Sequence, residues 1–191
     1  MKKSWIVILV IVVILGFWGC NKYNGMQTAS IGVQQSWSNV ETNYQRRADL
    51  YKNVVQTIKG SAKFEDSTLI GVVEARANAT KVQVNIDDSA SLARYQEAQT
   101  QLQNSFSRLL AVSENYPQLQ TTAAFRDFQT QIEGTENRIN VARKDFNSAV
   151  TAYNLEVQTF PGNIFASIFG FKPKAMFQAD EGAQNAPNIQ F

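Results

Sequence analysis

The sequence predicts an all-α protein, an elongated up-down antiparallel bundle of about four long helices with an N-terminal transmembrane helix. Three observations predict it. A charge-free apolar run follows Met1-Lys2-Lys3-Ser4 and reaches Cys20. Beyond it, apolar residues recur at helical rather than strand spacing. Turn formers are sparse, with 4 prolines and 10 glycines among 191 residues, too few to punctuate a β sandwich. The chain divides into an anchor (1–22), a helical-bundle domain (23–162) and an apolar segment with a polar tail (163–191).

The anchor comes first. A helix from Trp5 to Cys20 rises about 24 Å, a little short of a hydrocarbon core of about 30 Å. Tyr23 and Met26 extend it with modest local thinning of the bilayer. Trp5 and Trp18 bracket the run, where interfacial aromatics belong. Three fates compete for this segment: an uncleaved signal anchor, which is favoured, a lipoprotein signal cleaved before Cys20, and an ordinary cleaved signal. Phe17 and Trp18 count against the lipoprotein reading, while Gly19-Cys20 keeps Cys20 as a possible lipidation site. Lys2, Lys3 and the α-amino group flank one end of the run and Lys22 alone flanks the other before Arg46. The positive-inside rule then puts the N-terminus in the cytoplasm and residues 21–191 outside it.

Breakers at Gly60-Ser61, Asp87-Asp88-Ser89, Tyr116-Pro117, Pro161-Gly162 and Pro173 delimit four helices. The first is expected over Thr28–Lys59, with Val33, Trp37, Val40, Tyr44, Ala48, Tyr51, Val55, Ile58 and Ala62 in one stripe. The second spans Glu65–Asn85, with Leu69, Val72, Val73, Ala79 and Val82. The third spans Ser91–Asn115, capped from Ser89 or Ser91, with Leu92, Tyr95, Leu102, Phe106, Leu109 and Leu110. The fourth spans Thr122–Thr159, capped by Thr121 or Thr122, with Phe125, Phe128, Ile132, Ile139, Ala142, Phe146, Ala149, Val150, Tyr153 and Val157. Short connections make sequential helices antiparallel neighbours. Gly134 inside the longest helix is expected to mark a close helix crossing. The tail beyond Asp180 is polar and expected to be loosely ordered.

Composition excludes whole classes of chemistry. The chain carries 18 basic and 16 acidic residues, and without Lys2 and Lys3 the two are equal at 16 each. The basic excess therefore belongs to the N-terminal tip, and no basic face for nucleic acid is expected. With no histidine, imidazole metal sites and Ser-His-Asp triads are absent. A single cysteine excludes an intrachain disulfide and CxxC motifs. No cofactor, metal or small-molecule substrate is expected. Glu65-Asp66, Asp87-Asp88 and Asp180-Glu181 read as solvated loop or cap acids, without calcium-loop spacing.

Several polar residues sit where apolar ones belong. Arg47 lies about 50° from the centre of the first stripe, and Arg76 lies inside the second. Gln99 interrupts the third. Glu136 and Arg143 edge the fourth, one heptad apart, and Asn147 and Asn154 continue that edge. Buried charge must be paired, because desolvation costs several kcal/mol per ion. The expectation is a network joining Arg47, Arg76 and Arg143 to Glu136, with Glu41 as a further candidate. Its favoured role is to fix helix register, as polar core residues do in coiled coils. The competing readings are a small anion-binding or catalytic cleft and charges that merely flank the stripes in solvent. Trp37, Tyr44, Phe106, Phe125, Phe128 and Phe146 read as core. The short apolar run Asn163–Phe171 is too short to span a bilayer. It has three options: folding back on the bundle, joining subunits or lying on the membrane. Ile164, Phe165, Ile168, Phe169 and Phe171 are its candidate interaction surface, with self-association as the expected use.

Several stretches resemble the LemA family of bacterial membrane-anchored proteins. They are Trp37-Ser-Asn-Val-Glu-Thr-Asn-Tyr-Gln-Arg-Arg-Ala-Asp-Leu50, Val54-Val-Gln-Thr-Ile-Lys-Gly60, Glu74-Ala-Arg76, Glu114-Asn-Tyr-Pro117, Glu133-Gly-Thr-Glu-Asn-Arg-Ile139, Phe160-Pro-Gly-Asn163 and Phe169-Gly-Phe-Lys-Pro173. The resemblance covers about residues 30–190. It implies an N-terminal transmembrane segment and a bundle of coiled-coil-like helices, and it carries over no catalytic residue. Phe17-Trp-Gly-Cys20 departs toward a lipoprotein pattern. Together these readings point to a non-enzymatic, membrane-tethered scaffold or interaction protein of the bacterial cell envelope. Its partners would be copies of itself or another envelope protein. The alternative is an envelope enzyme or enzyme regulator using the Arg/Glu cluster.

Overall fold

The computed structural model describes residues 2–59 and 66–178. In it the apolar N-terminal run and the first bundle helix are one element. Helix α1 covers Lys2–Lys59, 58 residues, or about 87 Å of unbroken rod. The expected start at Thr28 does not exist. No proline or terminated turn separates Trp18 from Val33, and the polar residues between them are compatible with a helix, so hydrogen bonding propagates through the junction.

Five further helices follow: α2 (Asp66–Lys81), α3 (Ser89–Ser113), α4 (Pro117–Gln120), α5 (Ala123–Gln158) and α6 (Gly162–Phe169). No strand occurs among the described residues. Helix α2 ends at Lys81 instead of Asn85, and residues 82–85 leave the helix. The Asn85 N–H then donates to Ser91 Oγ at 3.0 Å. That use of Ser91 explains why it does not cap α3. Asp88 caps instead, its carboxylate accepting from the N–H groups of Ala90 and Ser91. Thr122 caps α5 by accepting from the Phe125 N–H. Pro117 opens the extra one-turn helix α4, as its fixed φ favours.

Helix directions follow from the side-chain pairs. Trp37 meets Tyr95 and Tyr51 meets Phe106, so α3 runs parallel to α1. Lys22 meets Glu156 and Arg47 meets Glu136, so α5 runs antiparallel to it. The core forms two apolar clusters along the rod. One, nearer the apolar end of α1, gathers Met26, Val33, Trp37, Tyr95, Phe146 and Tyr153. The other, at the far end, gathers Tyr51, Ile58, Leu69, Leu102, Phe106 and Phe125.

Most stripe residues lie in these clusters, with exceptions. Val73 is exposed, because α2 is short and packs through Leu69, Val72 and Ala79. Phe128 is only half-buried. Gly134 faces open space and marks no crossing. The close approach is at Gly162, where a Cβ would collide with the Glu156 carbonyl oxygen. Ala62, Glu65, Asp180, Glu181 and the tail beyond lie outside the described residues.

Beyond α5 the chain folds back onto the bundle. Helix α6 packs against α1 and α5 and ends at Gly170, whose φ of 79° is left-handed, a conformation that glycine adopts without steric cost. Residues 171–178 are irregular and lie against the core. Two asparagines one heptad apart on α5 hold this segment by both faces of their amides. Asn154 donates to Lys174 O and accepts from Lys174 N at 3.0 and 2.8 Å. Asn147 does the same for Phe177 at 3.0 and 2.9 Å. Phe177 thereby enters the core and stacks on Trp37. The Ala175 N–H donates to Ile86 O, and Tyr153 donates to Lys172 O. Asn147→Ala should leave the Phe177 backbone groups unpaired and lower stability by about 1–3 kcal/mol. Thermal unfolding and faster hydrogen exchange at the Phe177 amide check this.

Candidate functional site

Three helices bring one polar residue each to the same level, between the two apolar clusters. Arg47 of α1 follows Tyr44 and precedes Tyr51 on the inner face. Gln99 of α3 sits between Tyr95 and Leu102. Glu136 of α5 sits between Ile132 and Ile139. Arg47 is 2% exposed, the largest of the fully buried side chains. Its Nη1 donates to Glu136 Oε1 and Oε2, both at 3.4 Å. Its Nη2 donates to the Gln99 carbonyl at 3.0 Å and to Gln99 Oε1 at 2.6 Å. Tyr51 donates its hydroxyl to Glu136 Oε1 at 3.1 Å. The guanidinium carbon lies 4.9 Å from the Tyr44 ring centroid and 5.9 Å from that of Tyr51, close enough for cation–π attraction. Arg47 Nε has no hydrogen-bond partner among the described residues.

The layer opens on one side into a polar cleft of about 210 Å³ between α1, α3 and α5. Arg47, Gln99, Gln103, Glu136, Asn140 and Arg143 are among the residues that line it. Glu136 is the carboxylate among those lining residues, and it pairs with Arg47. The arrangement can hold a small anion or a hydrogen-bonding group at the mouth.

The other expected members of the network lie elsewhere. Arg76 donates Nε to the Ala48 carbonyl at 3.0 Å and pairs through Nη2 with the exposed Asp49 at 3.4 Å, not with Glu136. Its aliphatic stem crosses α2's inner face while its head reaches the rim of α1, as long cationic side chains do. Arg143 reaches the cleft wall but donates to the Gln178 carbonyl at 3.1 Å and lies over the Phe177 ring. Glu41 is exposed and acts on Tyr95 through its charge. Asn147 serves the C-terminal segment, as does Asn154. Sequence reasoning missed that segment as the partner of the polar edge of α5. The heptad spacing of the two asparagines was the visible signal. Of the five candidate interaction residues of the 163–171 run, Phe165 and Phe171 are half-buried, and Phe169 packs on Tyr23. Ile164 and Ile168 are exposed. Cys20 is exposed on α1.

Burial pushes the Tyr51 hydroxyl well above the ordinary tyrosine range, with Arg47 opposing and Glu136 reinforcing the shift. Burial does the same to Tyr95, helped by Tyr44 and Glu41. Both therefore stay neutral and act as hydrogen-bonding groups, not as tyrosinate bases.

A family model described as "LemA family" matches residues 36–191. Among curated proteins, the chain is 28% identical over 187 residues to magnetosome protein MamQ 2 of Paramagnetospirillum magneticum, covering 88% of this chain and 68% of that protein. It is 25% identical over 187 residues to magnetosome protein MamQ of Magnetospirillum gryphiswaldense, with the same coverage of 88% and 68%. It is 24% identical over 149 residues to protein LemA of Metamycoplasma hominis, covering 78% of this chain and 65% of that protein.

The raised tyrosines set a pH dependence. Above about pH 10 the unfolded chain releases tyrosine protons that the folded chain retains, so stability falls as pH rises. A Tyr51→Phe/Tyr95→Phe variant should show a shallower alkaline decline in melting temperature than the parent. An unchanged slope would contradict the assignment.

Proposed function

The chain belongs to the LemA family, and from that membership and the geometry we propose a non-enzymatic, membrane-tethered helical scaffold of the bacterial envelope. Family membership and the similar proteins support a membrane-associated helical protein. The N-terminal half of α1 has exposed apolar side chains from Trp5 to Ile14 and again at Phe17 and Trp18. Apart from Trp18, which meets Phe165, no ring contact covers that surface among the described residues, and its apolar character supports a lipid environment. In this reading the N-terminus is cytoplasmic and residues 21–191 stand outside.

The observation that carries the proposal is the continuity of α1. A flexible linker would let the bundle wander above the bilayer. An uninterrupted helix instead fixes the bundle's height and tilt relative to its span. From Cys20 to Lys59 the rod extends roughly 60 Å. The distal end, where α3 gives way to α4 and α5, is therefore held far from the lipid. The mechanism is geometric: confinement to a plane raises the effective concentration of that end toward a partner or another copy. The similar proteins are named as magnetosome proteins and as LemA. In this reading Arg47, Gln99 and Glu136 keep the helices in register.

A second reading is favoured by one observation, the open cleft beside the unpartnered Arg47 Nε. There the layer binds a small anionic ligand, and the protein is an enzyme or an enzyme regulator. One experiment separates the two. Full-length parent and Glu136→Gln chains carry a photo-crosslinker at exposed Gln118 in native membranes. For a scaffold, the variant loses about 1–3 kcal/mol of stability yet gives the same tip adducts as the parent. A variant that stays folded but loses a small-molecule turnover or ligand-induced stabilisation seen in the parent would overturn the scaffold.

A further inference from the structure

We propose that α6 is an interfacial collar whose partner is the lipid bilayer that holds the N-terminal helix. This rests on the reading of that helix as a membrane span. Helix α6, Gly162–Phe169, contains no charged residue. Its inner face is fastened to α1 at a defined level. Phe165 meets Trp18 edge-on with centroids 5.6 Å apart. Phe169 meets Tyr23 in the same way at 5.1 Å. A Cβ on Gly19 would approach the Phe165 ring to 3.2 Å, so the absence of a side chain there lets the ring settle against the backbone of α1.

That level is the outer edge of the span. About 20 helical residues cross a hydrocarbon core, which takes a span beginning at Trp5 to about Asn24. The apolar run itself stops at Cys20, leaving the last turn of the crossing on Asn21, Lys22 and Asn24. Helix α6 crosses α1 beside this turn and supplies the missing apolar surface from outside the rod. Its outer face is apolar as well. Phe160, just before it, is 80% exposed, Ile164 50% and Ile168 69%. The Lys22–Glu156 pair, 3.2 Å apart and partly exposed, marks the polar boundary at the same height. A short apolar helix held there has its outer face at the junction of headgroups and acyl chains, the depth that interfacial helices occupy. A second copy is the poorer occupant. Three exposed side chains fall far short of the roughly 20–30 residues a side that a stable protein interface uses.

The test uses the full-length chain in lipid nanodiscs, with Cys20→Ser as background and one nitroxide label per variant. Ile168→Cys and Ile164→Cys, both at exposed positions, read the collar. Val10→Cys reads the span, and Ser148→Cys, exposed on α5, reads water. Collision rates with oxygen and with a water-soluble nickel chelate report depth. The oxygen-to-nickel ratio at Ile168 and Ile164 should exceed that at Ser148 several-fold and approach that at Val10. A ratio equal to that at Ser148, with Val10 still lipid-like, overturns the collar and leaves the span standing. Water-like values at Val10 as well overturn the span and the collar together. Dipolar broadening at Ile168 that disappears on dilution with unlabelled chain gives the face to a second copy and overturns the lipid assignment.

Discussion

The continuity of α1 is the constraint on which the other elements depend. Helix α2 returns along it, α5 packs antiparallel to it, and α6 crosses it beside Trp18 and Tyr23. The same backbone runs from an apolar segment that is exposed from Trp5 to Ile14 into a stripe that is almost wholly buried. In the proposed reading one element has two solvents, lipid at one end and protein at the other. Helix α1 runs unbroken through the junction, so in that reading the bundle takes its position from the span.

Within the bundle, the Arg47 layer sets the internal geometry. A fully buried guanidinium costs several kcal/mol of desolvation. Four hydrogen bonds to Glu136 and Gln99, and the faces of Tyr44 and Tyr51, offset that cost. They do so only when α1, α3 and α5 are at one relative height. A slip of one turn on any of the three would leave the charge buried and unpaired. In the proposed reading the layer penalises wrong registers more strongly than the two apolar clusters do, since leucines and phenylalanines repack with less loss. The clusters would then supply most of the favourable burial, and the layer would select which packing they adopt.

Much of this was legible in the sequence, for identifiable reasons. Long stripes such as Val33 to Ile58 and Phe125 to Val157 repeat with a period that only helices satisfy, so the all-α class and the two longest bundle segments followed directly. The Arg47–Glu136 pairing followed from two charges on inner faces that need each other. The start of α1 was not legible, because the apolar run stops at Cys20 and the bundle stripe begins only at Val33, although a helix runs through the polar and glycine residues between them. Asp88 was passed over as a cap because Ser89 and Ser91 are equally good capping types. The partners of Asn147 and Asn154 were hidden because residues 171–178 have no periodicity of their own. Their backbone groups are satisfied by distant side chains, a pairing that local pattern does not encode. Arg76 and Arg143 sat on the expected faces, but their long stems carry the charged heads to the rim.

The most direct test is the distance across the junction between span and bundle. Nitroxide labels at Val10→Cys and Asn39→Cys in a Cys20→Ser chain, reconstituted in nanodiscs, are separated by 29 helical steps. A single rigid helix gives one narrow distribution near about 44 Å. A broad distribution, or a maximum well short of that distance, would mean that the chain bends or unwinds between the lipid and the bundle, and the fixed-height scaffold would fall with it.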